Sequence, residues 1–175
     1  MAPMGRDKTA ALLTDDPGLA EVTESEREAL AEVVGNRFWI VQNVLWETEE
    51  AESYGRIERE YAGRVVAGVD SALSRLRGLS EEAMLYRAGP APPEDGVMLG
   101  YVFGTIDPET AAAVSRADEL WEVHVPRRTP VLLLSQVVAA ANLTPFEVLV
   151  PRRRRFMLIS MARRDSPGRL RLEVT

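Results

Sequence analysis

The order of apolar and polar positions divides the chain into three textures. Residues 1–21 show no sustained period and read as an irregular arm. From residue 23 the period becomes helical. Thr23-Glu24-Ser25-Glu26 is a capping-box pattern, in which a hydroxyl and a carboxylate satisfy the first free amides of a helix. Leu30, Val34, Phe38, Val41 and Leu45 follow at helical spacing. Trp39, Ile40 and Trp46 widen that stripe, which predicts one helix to about Glu52 with two buried sides, in the core or against a partner. A second helix is predicted from about Gly55 to Arg77. Its inner face is Ile57, Tyr61, Val65, Val69, Ala72 and Leu76, and Gly78 is its stop.

After Ser80 the period shortens to that of strands. Met84–Arg87 is a short apolar-aromatic run broken by Pro90, Pro92, Pro93 and Gly96, and Met98–Phe103 reads as a second strand. Asp107-Pro108 supplies a cap and a first-turn proline for a helix over the alanines 111–113. Residues 120–125 alternate, 131–134, 146–150 and 156–161 read as strands, and 170–174 as an added edge. Val-Pro-Arg-Arg occurs twice between apolar runs, at 125–128 and 150–153, and reads as two turns of one design. Helices first and strands afterwards is the signature of an α+β fold. The expected division is an arm over 1–21 and one domain over 22–175, helical to 78 and mainly β from 83.

Composition narrows the chemistry. With no cysteine and a single histidine, His124, in a strand-like stretch, thiol nucleophiles, disulfides and cysteine or two-histidine metal sites are excluded, and no metal is expected. Carboxylates, hydroxyls, arginines and backbone groups remain. Net charge is −6, but residues 1–60 hold 14 acids and 6 bases while 121–175 hold 4 acids and 10 bases. The acidic front and basic tail suit an attraction within the fold or between copies, and the arm and first helix are a candidate homo-oligomer contact. A nucleic-acid surface at Arg152–Arg155 is not the expectation for a chain acidic overall. No run approaches the length of a membrane helix or a signal peptide, which predicts a protein of the cytoplasm or packaged in a virion.

Three blocks in order carry a family resemblance. They are Leu85-Tyr86-Arg87-Ala88, then Phe103-Gly104-Thr105-Ile106-Asp107-Pro108-Glu109 with its alanines, then Phe146-Glu147-Val148-Leu149-Val150-Pro151-Arg152. They resemble the L-Y-R-G strand, the S-T-S strand running into L-D-P-E, and the E-x-E-V-L-L-P strand of the arginine–serine–glutamate class of mono-ADP-ribosyltransferases, a class of bacterial toxins and phage enzymes. Glu122–Leu134 is similar to the family's strand–turn–strand unit. The resemblance implies helices packed on a split antiparallel sheet, with NAD as the substrate. Cleaving the nicotinamide–ribose bond passes through an oxocarbenium-like state, which needs a carboxylate, a guanidinium and a hydroxyl and no metal. By resemblance, Arg87 holds the NAD phosphates, the Ala88 backbone meets the nicotinamide amide, and Tyr86 and Phe103 are further contacts on that side. Glu147 is the catalytic carboxylate and Thr105 an auxiliary hydroxyl.

Two departures shape the expectation. Aligned on Asp107-Pro108-Glu109, Phe103 stands at the family's first serine, and a shift by one puts Gly104 there. The first glutamate of E-x-E falls on Pro145. Transfer to arginine is therefore not expected. The acceptor is a protein group other than arginine, selected by Asn142, Thr144 and Phe146. Alternatives stay open: an ion pair between Arg87 and an acid on a neighbouring strand, and an inactive copy of the fold serving in assembly, for example as a phage head component.

Overall fold

The capping box starts a helix as expected. The Glu26 N–H donates to the Thr23 hydroxyl at 3.4 Å and the Thr23 N–H donates to the Glu26 carboxylate at 2.8 Å. In the computed structural model, which describes residues 5–115, 119–140, 143, 146–163 and 166–173, helix α2 runs over Glu24–Val33. The single helix expected to residue 52 is three. The stripe is interrupted at Gly35 and resumes as α3, Phe38–Trp46. Glu47, in the left-handed conformation at φ 52°, ends α3, and Thr48 caps the short α4, Glu49–Glu52. Helix α5, Arg56–Arg75, packs on α2 and α3, but its inner face begins only at Tyr61, and Ile57 in the first turn is exposed.

The arm is not irregular. Residues Arg6–Thr14 form α1 and Pro17–Glu21 a 3-10 turn. Local pattern missed them because they are held from a distance. Leu13 is buried among sheet residues, and the Asp16 carboxylate accepts from the Arg77 and Gly78 N–H groups at 3.1 and 2.9 Å.

The strands are β1 Ala83–Ala88, β2 Val97–Met98, β3 Val102–Thr105, β4 Leu120–Val125, β5 Leu132–Leu133, β6 Glu147–Val150, β7 Arg154–Ser160 and β8 Gly168–Leu172, with α6, Pro108–Val114, after β3. They form one sheet in the order β2-β7-β8-β4-β1-β3-β6-β5. Two expectations are corrected. The last strand is not an edge but lies between β7 and β4, where it runs parallel to β4 while the other pairings of the described strands are antiparallel. The run 98–103 is two strands, parted at Leu99-Gly100-Tyr101. Both Val-Pro-Arg-Arg units are turns of one design: Arg128 and Arg153 take positive φ, and their N–H groups donate to the Leu79 and Met98 carbonyls, each at 2.7 Å.

The core has two parts. Leu149 of β6 packs with α2, α3 and α5, whereas Val148 and Val150 join Leu85, Val123 and Leu170 in a second cluster, so β6 is buried on both faces. No helix among the described residues is long and apolar enough to cross a membrane.

Glu26 ties α2 to α5. Burial pushes its carboxyl up, but hydrogen bonds from the Ser71 hydroxyl, the Thr23 N–H and Arg75 outweigh this and hold it at about 2 against an ordinary 4.5. A carboxyl depressed on folding stabilises fully above its unfolded value, and the contribution fades as pH falls toward the folded one. Denaturant unfolding of Glu26→Gln is therefore expected to show a loss of about 2–3 kcal/mol at neutral pH, shrinking between pH 4.5 and 2.

Candidate functional site

The site follows from how little joins β1 to β3. Strand β1 pairs with β4 over its whole length, Ala83↔Val125 to Ala88↔Leu120, but with β3 only at Tyr86↔Thr105. Beyond that joint the strands part, and a cavity of about 540 Å³ opens between them. Arg87 and Ala88 of β1 and Val102 and Phe103 of β3 line it. Gln42 and Trp46 of α3, Met98 of β2 and the proline-rich loop at Pro90–Pro93 close it.

Arg87 is half-buried, and burial draws its guanidinium below the usual arginine range. Nη1 donates to the Pro90 carbonyl at 3.1 Å. Among the described residues no carboxylate forms an ion pair with it. Its cross-strand neighbour is Trp121, whose indole N–H donates to the Gly89 carbonyl at 2.8 Å and pins the turn after β1. Trp121 is buried outside the cavity. Phe103 stands edge-on to Phe38, ring centroids 5.6 Å apart, and forms a wall of the cavity without filling it.

The carboxylate and hydroxyl come one position further in. Thr105 lies directly across from Glu147 on β6 and from Tyr86 on β1, so these three residues form one row across β1, β3 and β6. Thr105 is buried, and its hydroxyl accepts from the Asp107 N–H at 3.1 Å. Glu147 is half-buried at the start of β6 and is not among the residues that line the cavity. Phe146 accepts from the Ile106 N–H through its carbonyl at 3.1 Å, and the Arg6 guanidinium lies 4.8 Å over its ring. The N-terminal helix thus reaches the segment expected to face the acceptor. Asn142 and Thr144, and Pro145 with them, lie outside the described residues.

Two members of the site were not foreseen. Trp46, expected in the core, is a wall of the cavity, and Gln42 joins it one turn earlier. The Gln42 amide donates to the Tyr101 carbonyl at 2.9 Å, while its Oε1 is buried with no partner among the described residues. Helix α3 presses so closely on Gly100 that a Cβ there would stand 2.3 Å from Gln42 Oε1 and 2.5 Å from Trp46 Nε1. The signal was present as two polar residues, Gln42 and Asn43, inside an otherwise apolar helix. The basic turn has a structural member too. Arg152 grips the Asp70 carboxylate through Nε and Nη2, at 2.9 and 2.7 Å, and the Tyr101 hydroxyl donates to the same carboxylate at 2.6 Å. Burial, the hydrogen bond and the charge of Asp70 hold that hydroxyl well above the usual tyrosine range, and the cluster fixes the entry to β3 against α5.

No protein-family model matches the sequence, and no curated protein matches it. Solved structures do. An ADP-ribosyltransferase toxin from Paenibacillus larvae superposes with a TM-score of 0.68 at 14% identity, over 99% of this chain and 100% of that one. An ADP-ribosyltransferase from Clostridium botulinum gives 0.67 at 11%, over 95% and 94%. The chain has the mono-ADP-ribosyltransferase fold. An ADP-ribosylating component of a Clostridium perfringens binary enterotoxin, solved with NADH, shares the fold with a TM-score of 0.64 at 14% identity, over 98% of this chain and 49% of that one. Within the ADP-ribosyltransferase fold of this chain, the three blocks that carry the resemblance are β1, β3 with the start of α6, and β6. These strands are neighbours in the sheet.

Proposed function

We propose that this chain binds NAD in the cavity between α3, β1 and β3 and transfers its ADP-ribose to a protein group other than arginine. The observation that carries the reading is Arg87. A guanidinium partly withdrawn from water is costly without a counter-ion. Here it lines a cavity of about 540 Å³ and faces no carboxylate among the described residues. The planar fork of arginine matches a phosphate in two places at once. A structural neighbour of the same fold holds NADH, which supports a dinucleotide as the anion. Bound NAD supplies a glycosidic carbon–nitrogen bond whose cleavage builds positive charge on the ribose. In this reading Arg87 holds the pyrophosphate and the Ala88 backbone meets the nicotinamide amide. Glu147 binds the ribose 2′-hydroxyl and sets its charge beside the developing cation, and Thr105 steadies it from the adjacent strand. Pro145, where the family has a carboxylate, leaves no group there to activate a guanidinium, which supports a different acceptor.

Isothermal titration with NAD tests the anchor. Arg87→Ala is expected to weaken binding by about 10- to 100-fold, the worth of a charged hydrogen-bond pair. A wild-type chain that takes up no NAD at millimolar concentration overturns the reading. A second reading, an inactive ADP-ribosyltransferase fold used in assembly such as a phage head, is favoured by one observation: among the described residues no carboxylate lines the cavity. NAD binding without any release of nicotinamide would select it.

A further inference from the structure

Tyr101 lies in the gap between β2 and β3. Among the described residues no strand pairing includes it, since β2 pairs as far as Met98 and β3 from Val102. A residue outside the ladder takes its anchors elsewhere, and three hold Tyr101. Its carbonyl accepts from the Gln42 amide of α3 at 2.9 Å, and its ring lies 6.1 Å from that of Phe38. Its hydroxyl donates to Asp70 Oδ1 on α5 at 2.6 Å, with the Val66 carbonyl, one turn earlier on α5, farther off at 3.2 Å. So held, Tyr101 is 3% exposed and forms a wall of the cavity.

The hydroxyl anchor needs a third member. The Asp70 side chain is 37% exposed, and a carboxylate that open to water is free to turn away from a single phenol. Arg152, in the turn after β6, prevents the rotation. Its Nε donates to Oδ1 and Oδ2 at 3.2 and 2.9 Å, and its Nη2 to Oδ2 at 2.7 Å. The fork closes most tightly on Oδ2 and leaves Oδ1 toward the phenol. As a source of stability an ion pair this open is modest, but a bidentate grip fixes direction as well as position. Neither Asp70 nor Arg152 lines the cavity. From this chain of contacts we infer that Asp70 and Arg152 are positioning residues for the cavity, acting through the Tyr101 hydroxyl to hold its wall in the shape that admits the ligand. The inference takes its ligand, but not its geometry, from the dinucleotide reading.

Two variants cut the chain at different links. Arg152→Gln removes the grip, and Tyr101→Phe keeps the ring and removes the hydroxyl. In titration with NAD each is expected to weaken binding by about 3- to 10-fold, and the double variant by no more than either alone. Nicotinamide release from the saturated variants is expected to stay within about twofold of wild type, because no group at the reacting bond has changed. Additive losses in the double variant, or wild-type affinity in Arg152→Gln, overturn the inference and leave the dinucleotide reading standing. Amide hydrogen exchange supplies a readout that needs no NAD. The segment 98–105 is expected to exchange about 3- to 10-fold faster in both variants, while 120–125 exchanges as in wild type. If the wild-type chain takes up no NAD, the dinucleotide reading fails and exchange alone decides: unchanged rates over 98–105 overturn the inference.

Discussion

Glu147→Gln is expected to leave NAD affinity within about threefold of wild type and to slow nicotinamide release by about 10²–10³. Glutamine keeps the shape of the side chain and its capacity to accept a hydrogen bond from a ribose hydroxyl, so ground-state binding survives. What it lacks is the full negative charge, which matters only as positive charge develops on the ribose during cleavage. A loss of that size is about 3–4 kcal/mol of transition-state stabilisation, the usual worth of one aimed electrostatic group. Single-turnover nicotinamide release beside a titration separates the two terms. If Glu147→Gln cleaves at the wild-type rate while Arg87→Ala still loses NAD, the cavity binds the dinucleotide and Glu147 is not the carboxylate that acts on it. The row Tyr86–Thr105–Glu147 makes the outcome informative, because the carboxylate lies across from the one hydroxyl the strand retains.

Gly78→Ala is expected to lower stability by about 3 kcal/mol or more, and the melting temperature by about 6–12 °C for a chain of this size. Two costs add. Gly78 holds φ at +79°, a conformation that disfavours a side chain. A Cβ there would also stand 2.5 Å from the Arg128 carbonyl carbon and oxygen. The obstruction is backbone and cannot rotate away. The same turn carries the Gly78 N–H to Asp16, the Leu79 N–H to Thr129 and the Arg128 N–H to Leu79, at 2.9, 3.1 and 2.7 Å. Displacing it loosens the link between the N-terminal helix, the end of α5 and the turn after β4 together. Thermal unfolding followed by far-ultraviolet circular dichroism measures the shift.

Gly78 also shows which parts of this fold are legible in a sequence. Its expected role as the stop of α5 is corrected, because that helix already ends at Arg75 on an extended Leu76, whereas the Thr23 capping box, the Asp107-Pro108 start of α6 and the alternation that places β4 at residues 120–125 are local and readable. What escapes is set by distant contacts. Helix α1 has little pattern of its own and is held by Leu13 and Asp16. Strand β8 reads as an edge because nothing within residues 168–172 says that it will insert parallel to β4. The site divides in the same way. Arg87, Ala88 and Phe103 follow from ordered motifs and do line one cavity, whereas Gln42 and Trp46 belong to it only because α3 turns that face toward Gly100. Glu147 is placed by strand register beside the cavity rather than in its lining, a distinction that no motif carries.

The position of Trp46 has a practical corollary. Of the three tryptophans, Trp39 faces solvent, Trp121 is sealed under β1, and Trp46 alone forms part of the cavity wall. A molecule that enters the cavity meets the Trp46 indole directly, so the chain carries its own optical reporter of occupancy, readable without a label.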